Sequence, residues 1–61
     1  MMKAIETYNE RCNMGIDTLT DFMHNLAEHH FDGIKDAIEF YFVPEGYFET
    51  VEEGLDYYDN N

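Results

Sequence analysis

The sequence contains no serine and no tryptophan, and it has one cysteine and one proline in 61 residues. The absence of serine excludes a serine nucleophile. The lone Cys12 excludes an internal disulfide and favours a reducing compartment. Cys12 also falls at an apolar helical position, so we expect a buried structural thiol there and not a reactive one.

Long hydrophobic runs are missing as well. No segment reaches the roughly 20 apolar residues that a membrane-spanning helix needs, and the first residues lack the apolar stretch of a signal peptide. The four glycines are isolated from one another, so there is no glycine-rich phosphate loop. These absences predict a protein of the cytoplasm that is not an enzyme and takes no cofactor.

Positive charge is scarce, because only Lys3, Arg11 and Lys35 stand against 14 carboxylates, which gives a net charge of -11. Phosphate contacts need cations, so this balance argues against direct binding to nucleic acid or to anionic lipid. Such a chain would be disordered if it were poor in apolar residues, but 44% of its residues are hydrophobic and 16% are aromatic. The charge is therefore expected on the surface of a folded domain.

What the chain does have is apolar residues at helical spacing. They are Ala4, Ile5, Tyr8 and Cys12 in residues 2–13; Leu19, Phe22, Met23, Leu26, Ala27 and His30 in residues 18–31; and Ile34, Ala37, Ile38, Tyr41 and Phe42 in residues 34–43. Recurrence at i, i+3 and i+4 indicates amphipathic helices. With a further segment after Thr50, the pattern predicts one all-α domain over residues 1–61, a small bundle of three to four short helices.

The helix ends have recognisable signals. Asp17 or Thr18 can cap the second helix, and Asp32 can cap the third. The third helix is expected to end at Val43, because Pro44 disfavours helical geometry in the residue before it.

The last helix is expected to begin after Thr50, which has Glu53 at the spacing of a capping box. An alternative prediction pairs the two halves of residues 39–51 as a β-hairpin across Pro44, which would make the fold α+β. In either case a domain of this size has a thin core, and self-association as a homodimer is one way to supplement it.

The C-terminal segment carries the strongest functional signal. If it is helical, Val51, Leu55 and Tyr58 form an apolar stripe, and the opposite side carries Glu49, Glu52, Glu53, Asp56 and Asp59. Like charges at this spacing destabilise an isolated helix by a few tenths of a kcal/mol per pair. Their spacing of about 5 Å along the axis is comparable with the roughly 3.4 Å per phosphate of one DNA strand. Other carboxylates can extend this surface: Asp17, Asp21, Glu28, Asp36 and Glu39.

The aromatic residues exceed what a small interior needs. Phe40, Tyr47, Phe48 and Tyr57 fall outside the periodic core. An exposed aromatic cluster rimmed by acids is typical of an interface hot spot, so Tyr47, Phe48 and Tyr57 are candidate anchors for a partner. The alternative is that they close the core against the last helix.

His24, His29 and His30 form a second group of functional side chains. Asp21, His24 and Glu28 share one helix face, but their spacing matches no established metal signature. We therefore expect no metal site, with His30 packed at the edge of the core and the other two histidines solvated.

In overall character, though in no motif, the chain resembles the small acidic DNA-mimic inhibitors that bacteriophages and mobile elements use against host nucleases, repair enzymes and nucleoid or transcription proteins. The resemblance implies a viral or mobile-element inhibitor that occupies the nucleic-acid-binding site of a basic host protein, such as a restriction or CRISPR defence protein, in the host cytoplasm. The runner-up hypothesis is a small helical regulatory or adaptor protein, antitoxin-like, that binds a partner through apolar faces while its acids maintain solubility.

Overall fold

The computed structural model describes residues 3–60, which form helices joined by short turns, with no strand among them. The helices are α1 (Lys3–Cys12), α2 (Leu19–His29), α3 (Ile34–Ala37) and α4 (Val51–Asn60), and α3 continues directly into a π-helical segment, Ile38–Phe42. The described chain is 69% helical, which confirms the all-α prediction. The β-hairpin proposed for residues 39–51 is wrong, because its first half is this π-helical segment.

Helix α1 matches the helix predicted over residues 2–13, of which Met2 lies outside the described residues. Ile5 is buried and Tyr8 is half-buried, as their spacing predicts. The prediction of a buried Cys12 is wrong, because this thiol is exposed. Cys12 is the last residue of α1, and the chain turns there through Asn13, whose φ of 54° is left-handed.

The loop after α1 is held by one side chain. Asn9 donates from Nδ2 to the carbonyl of Ile16 at 3.0 Å and accepts from the Ile16 backbone amide at 2.9 Å. This pair of bonds places the Ile16 side chain in the core, where it is 5% exposed. No pattern in the sequence singled out Asn9 or Ile16.

Helix α2 is the central element. Thr18 caps it by accepting a hydrogen bond from the Asp21 amide at 3.1 Å, which confirms one of the two predicted caps. The predicted stripe is buried at Phe22, Met23, Leu26 and Ala27. His30 is exposed, and its ring contacts Tyr8 edge to face at a centroid distance of 5.7 Å.

The start of α3 differs from the prediction. The N-cap is Gly33, with φ of 139°, and Asp32 makes no side-chain capping bond to this helix. Only glycine adopts such a φ without strain, so the backbone geometry at Gly33 sets the start of the helix and Asp32 lies outside it.

The sequence predicted a helix that ends at Val43, before Pro44, but it did not predict that the last part of this helix is π-helical. The π-helical segment ends at Phe42. Its wider turns appear as i to i+5 hydrogen bonds, such as that from the Val43 amide to the Ile38 carbonyl at 2.8 Å. The segment buries Ile38 and Phe42 completely and leaves Phe40 61% exposed.

The core is dominated by aromatic contacts around Phe22. The ring of Phe22 meets those of Tyr8, Tyr41 and Phe42 edge to face, with centroids 5.3, 6.0 and 5.6 Å away. Edge-to-face geometry suits the charge distribution of the rings and adds to the burial of apolar area. Among the described residues, no helix is long and apolar enough to cross a membrane.

Candidate partner-binding surface

Helix α4 presents a row of carboxylates to solvent. The α4 acidic row consists of Glu52, Glu53, Asp56 and Asp59, all of them exposed, and Glu49 is exposed just before the helix. The predicted stripe on the opposite side, Val51, Leu55 and Tyr58, is half-buried. All five carboxylates that the sequence singled out in this segment are thus exposed, four of them on α4.

Two local features hold α4 in place. Its first turn is capped by Thr50, whose Oγ1 accepts a hydrogen bond from the Glu53 amide at 3.1 Å, as predicted. Gly54 is buried against the π-helical segment, and a Cβ at this position would lie 2.6 Å from Ile38 Cγ2 and 3.0 Å from Phe48 Cδ2. The sequence offered no sign that Gly54 is a close-packing contact.

The carboxylates of the α4 acidic row have no ion-pair partner among residues 3–60. Across residues 3–60, the ion-pair contacts within 4.0 Å join only His24 and His29 to Glu28, and none involves a lysine or an arginine. From Glu52 to Asp59 is seven residues, or about 10.5 Å along a helix axis. Four phosphates of one DNA strand span about 10.2 Å, so four carboxylates in this length match the linear charge density of a strand.

Of the other predicted acids, Asp17 lies in the loop before α2 and Asp21 and Glu28 lie on α2, and all three are exposed. The remaining two lie on α3 and the π-helical segment. Glu39 is exposed and Asp36 is half-buried. Asp36 lines an open depression together with Glu28, Asp32 and His29, at the side of the exposed Phe40 ring. This depression is a second acidic surface, built on the α2–α3 corner and not on α4.

The aromatic anchors need correction. Phe48 is 7% exposed, packs against Phe42 and Tyr57 with ring centroids 6.3 and 5.5 Å away, and is therefore part of the core instead of a partner anchor. Tyr47 and Tyr57 are half-buried, so each offers only part of its ring to a partner. The exposed aromatic side chain is Phe40, which the sequence identified as surplus to the core but did not rank as an anchor.

Two tyrosines pack beside one another at the turn after the π-helical segment. The Tyr41 and Tyr47 ring centroids are 6.2 Å apart. Burial raises the pKa of both phenols above their ordinary value; the charge of Glu45 adds to this for Tyr41, and the Tyr41 phenol adds to it for Tyr47. Both phenols therefore stay neutral at physiological pH.

The histidine cluster ties α2 to α4. His24 Nδ1 lies 3.1 Å from the Tyr58 hydroxyl, and His24 Nε2 lies 3.4 Å from a carboxylate oxygen of Glu28. In residues 3–60 no group of three histidine, cysteine, aspartate or glutamate side chains has an arrangement that could hold a metal ion. His24 therefore forms a contact between helices α2 and α4.

The structure adds a site that the sequence reasoning missed. A groove beside α1, which we call the α1 groove, has an apolar floor and a basic edge, and about 440 Å³ of space; its main lining residues are Tyr8, Phe22, Leu26 and Tyr41 on the floor and Lys3 and Arg11 on the edge. The signal for it was the spacing of Lys3, Thr7 and Arg11 at i, i+4 and i+8, which puts two of the three basic residues on one helix face.

Comparison with protein-family models, with curated proteins and with solved structures gave no match to this chain.

Proposed function

We propose that this protein is an acidic DNA-mimic inhibitor that occupies the nucleic-acid-binding site of a basic host protein. The observation that carries the proposal is the α4 acidic row, an exposed line of carboxylates without lysine or arginine partners in the described chain. Its charge spacing along the helix resembles that of a phosphate strand. A groove that binds phosphates with lysine and arginine would find carboxylates at a similar spacing.

The mechanism is competition for one basic site and involves no catalysed reaction. The carboxylates attract the basic site from a distance, which speeds association, and screening at physiological ionic strength limits that reach to about 8 Å. Because Thr50 caps α4 and Gly54 lets it pack closely against Ile38 and Phe48, we expect the row to be ordered before the partner arrives, so that binding does not have to order it. We place the action in the cytoplasm of a bacterial host, where such target proteins work.

The proposal is tested by capture from a bacterial lysate, with three forms of the protein as bait. One is the natural chain, and one carries neutral isosteres throughout the α4 acidic row: Glu52→Gln, Glu53→Gln, Asp56→Asn and Asp59→Asn. The control neutralises four exposed carboxylates elsewhere: Glu6→Gln, Glu10→Gln, Asp17→Asn and Glu45→Gln. Both variants have the same net charge, -11 + 4 = -7.

We expect the natural chain and the control to retain one nucleic-acid-binding protein, which is released both by salt and by sheared duplex DNA. The α4 variant should lose it. Equal capture by the α4 variant and the control would contradict the proposal, because it would show that the row is not what the partner binds. An equal loss in both would assign the binding to overall charge. Duplex RNA as a competitor separates mimicry of DNA from mimicry of RNA.

The adaptor hypothesis is favoured by one observation of its own, the apolar floor of the α1 groove. An adaptor that binds through this groove would hold a partner that resists salt and is indifferent to DNA. The same capture experiment distinguishes the two functions, since only the mimic's partner is displaced by duplex DNA.

A further inference from the structure

Two surfaces that include no residue of α4 are complementary in charge and in apolar character. One is the Phe40 patch, formed by the exposed Phe40 and the carboxylates of Asp32 and Asp36 that line the depression beside it. The other is the α1 groove, with its apolar floor and its basic edge at Lys3 and Arg11. From these we infer that the protein forms a two-fold homodimer in which Phe40 of each copy enters the α1 groove of the other.

The charges identify the occupant of the groove. Lys3 and Arg11 make no ion pair within residues 3–60, although the chain has 14 carboxylates. A cationic edge beside an apolar floor fits a partner that offers an apolar side chain flanked by acids. The Phe40 patch has this chemistry, because Asp32 and Asp36 line the depression beside the exposed Phe40 ring.

The two surfaces are adjacent on one molecule, which is what a closed dimer requires. His30 lines the depression beside Phe40, and its ring contacts Tyr8 of the α1 groove. Tyr41, on the floor of the groove, directly follows Phe40 in the chain. Adjacent complementary patches pair reciprocally across a two-fold axis, so that both contacts form at once and the assembly closes at two copies.

A single Phe40 contact is small, so the dimer needs both of the two-fold contacts. A single aromatic side chain buries about 150–250 Å², whereas specific interfaces usually bury about 800 Å² per partner. One Phe40 in one groove falls short of this, and two reciprocal contacts give about 300–500 Å², which is still below the usual size, so we expect a weak dimer. Repulsion between two copies of charge -11 is reduced because the opposed surfaces carry opposite charges and salt screens the remainder.

The contact uses none of the four residues of the α4 acidic row, since none of them lines either surface. Each dimer would present two acidic rows. The inference is independent of the proposed function, since a monomer could still mimic DNA and the dimer contact uses none of the acids of α4.

The test is sedimentation equilibrium of the full chain from about 10 μM to about 1 mM, a range that reaches micromolar to millimolar dissociation constants. We expect the mass to rise from 7.2 kDa toward twice that value. Phe40→Ser should weaken association at least about tenfold, as expected for loss of a central aromatic. Met14→Ser, at an exposed residue outside both surfaces, should leave association unchanged.

A charge exchange provides a second measurement. The double variants Asp32→Lys/Asp36→Lys and Lys3→Glu/Arg11→Glu should each remain monomeric alone, because each then opposes like charges at both contacts. An equimolar mixture should form a heterodimer, since the charges are again opposite at both contacts. Circular dichroism of each variant checks that the helices are retained.

The inference fails if the natural chain keeps the monomer mass throughout, if Phe40→Ser associates as well as the natural chain, or if the two charge variants do not combine. A mass that continues to grow beyond the dimer would also overturn it, because the contact would then be open and not two-fold.

Discussion

At the scale of single residues, Gly54 decides how closely α4 approaches the rest of the molecule. A glycine within a helix usually lowers its stability, and nothing in the sequence distinguishes this one from the other three. The structure explains it, because the side chains of Ile38 and Phe48 occupy the space that a Cβ would need. The position of the α4 acidic row therefore depends on the absence of one side chain on the opposite face.

Gly54→Ala is expected to destabilise the protein. Overpacking costs about 1–3 kcal/mol, and the gain in helix propensity of roughly 1 kcal/mol offsets only part of it, so the net loss should be about 1 kcal/mol. Urea unfolding followed by circular dichroism measures it. Gly15→Ala is the control, because nothing lies within 4 Å of its Cβ position, and it should be neutral or slightly stabilising. Equal stability of the two variants would contradict the close contact at Gly54.

Tyr41 and Tyr47 make the stability of the folded protein depend on pH in the alkaline range. Their pKa values are raised by burial in the folded state, so the folded protein holds these protons more tightly than the unfolded chain. Their contribution to stability is complete below the unfolded pKa of about 10 and is lost as the pH rises through the higher folded values.

We expect the free energy of unfolding to fall between about pH 8 and about pH 11, on either side of the reference tyrosine pKa. Tyr41→Phe/Tyr47→Phe should reduce this fall, because phenylalanine keeps the ring and removes the proton. Urea unfolding at the two pH values, with tyrosinate absorbance recorded in parallel, tests it. A fall of the same size in the double variant would assign the effect to other groups.

At the scale of elements, the parts of the fold that the sequence predicts are those set by local chemistry. The stripe from Phe22 to Ala27 predicts α2 because its period is helical, and the caps at Thr18 and Thr50 follow from side chains that accept from nearby amides. The π-helical segment was missed because its apolar residues fit an ordinary helical period equally well. Only the hydrogen bonds reveal the wider turn.

In the candidate site, too, the features set by local sequence were predicted and the features set by packing were not. The acids of α4 were identified correctly as one exposed side, since helical spacing and charge suffice for that. Phe48 was wrong as a candidate anchor, because its burial, like the exposure of Phe40, depends on which element packs over it. Tyr47 and Tyr57 stay predictions. The α1 groove is formed by three separate segments, and no local pattern contains all of it.

Thr50→Ala is expected to loosen the start of α4. The Glu53 amide loses its acceptor, which costs about 0.5–2 kcal/mol at a helix N-cap. Thermal unfolding gives the stability, and amide hydrogen exchange at Val51 to Glu53 gives the local effect. Thr7→Ala, at an exposed position of α1, serves as the control: it should leave exchange at Val51 to Glu53 unchanged and should not lower the stability, since alanine is the better helix former. Unchanged exchange in the Thr50 variant would show that packing alone fixes this end of α4.

At the scale of the whole molecule, charge and stability are opposed. The net charge is -11, and no lysine or arginine in residues 3–60 relieves it through an ion pair. A compact state with this charge is destabilised by self-repulsion. A function that requires an exposed negative surface accounts for a charge that folding alone does not favour.

Sodium chloride is therefore expected to stabilise the protein. Raising it from about 0.02 M to about 0.5 M shortens the screening length severalfold and weakens the repulsion. For a domain of this size each kcal/mol of stability raises the Tm by roughly 4–8 °C. Thermal unfolding at low micromolar protein concentration tests whether the Tm rises with salt. We expect a smaller rise in the α4 neutral variant. A Tm that falls with salt would mean that attractive pairs outweigh repulsion.

The central claim is that the α4 acidic row takes the place of nucleic acid in a basic site. The most direct measurement is displacement of a fluorescent DNA duplex from the captured target protein, followed by anisotropy at several salt concentrations. We expect the natural chain and the control with four neutralised carboxylates elsewhere to displace the duplex, with an affinity that falls as salt rises. The α4 neutral variant should be at least about tenfold weaker, as expected when close charge pairs are lost. Formation of a ternary complex in which the target holds both the protein and the duplex, or equal displacement by the α4 variant and the control, would contradict the claim.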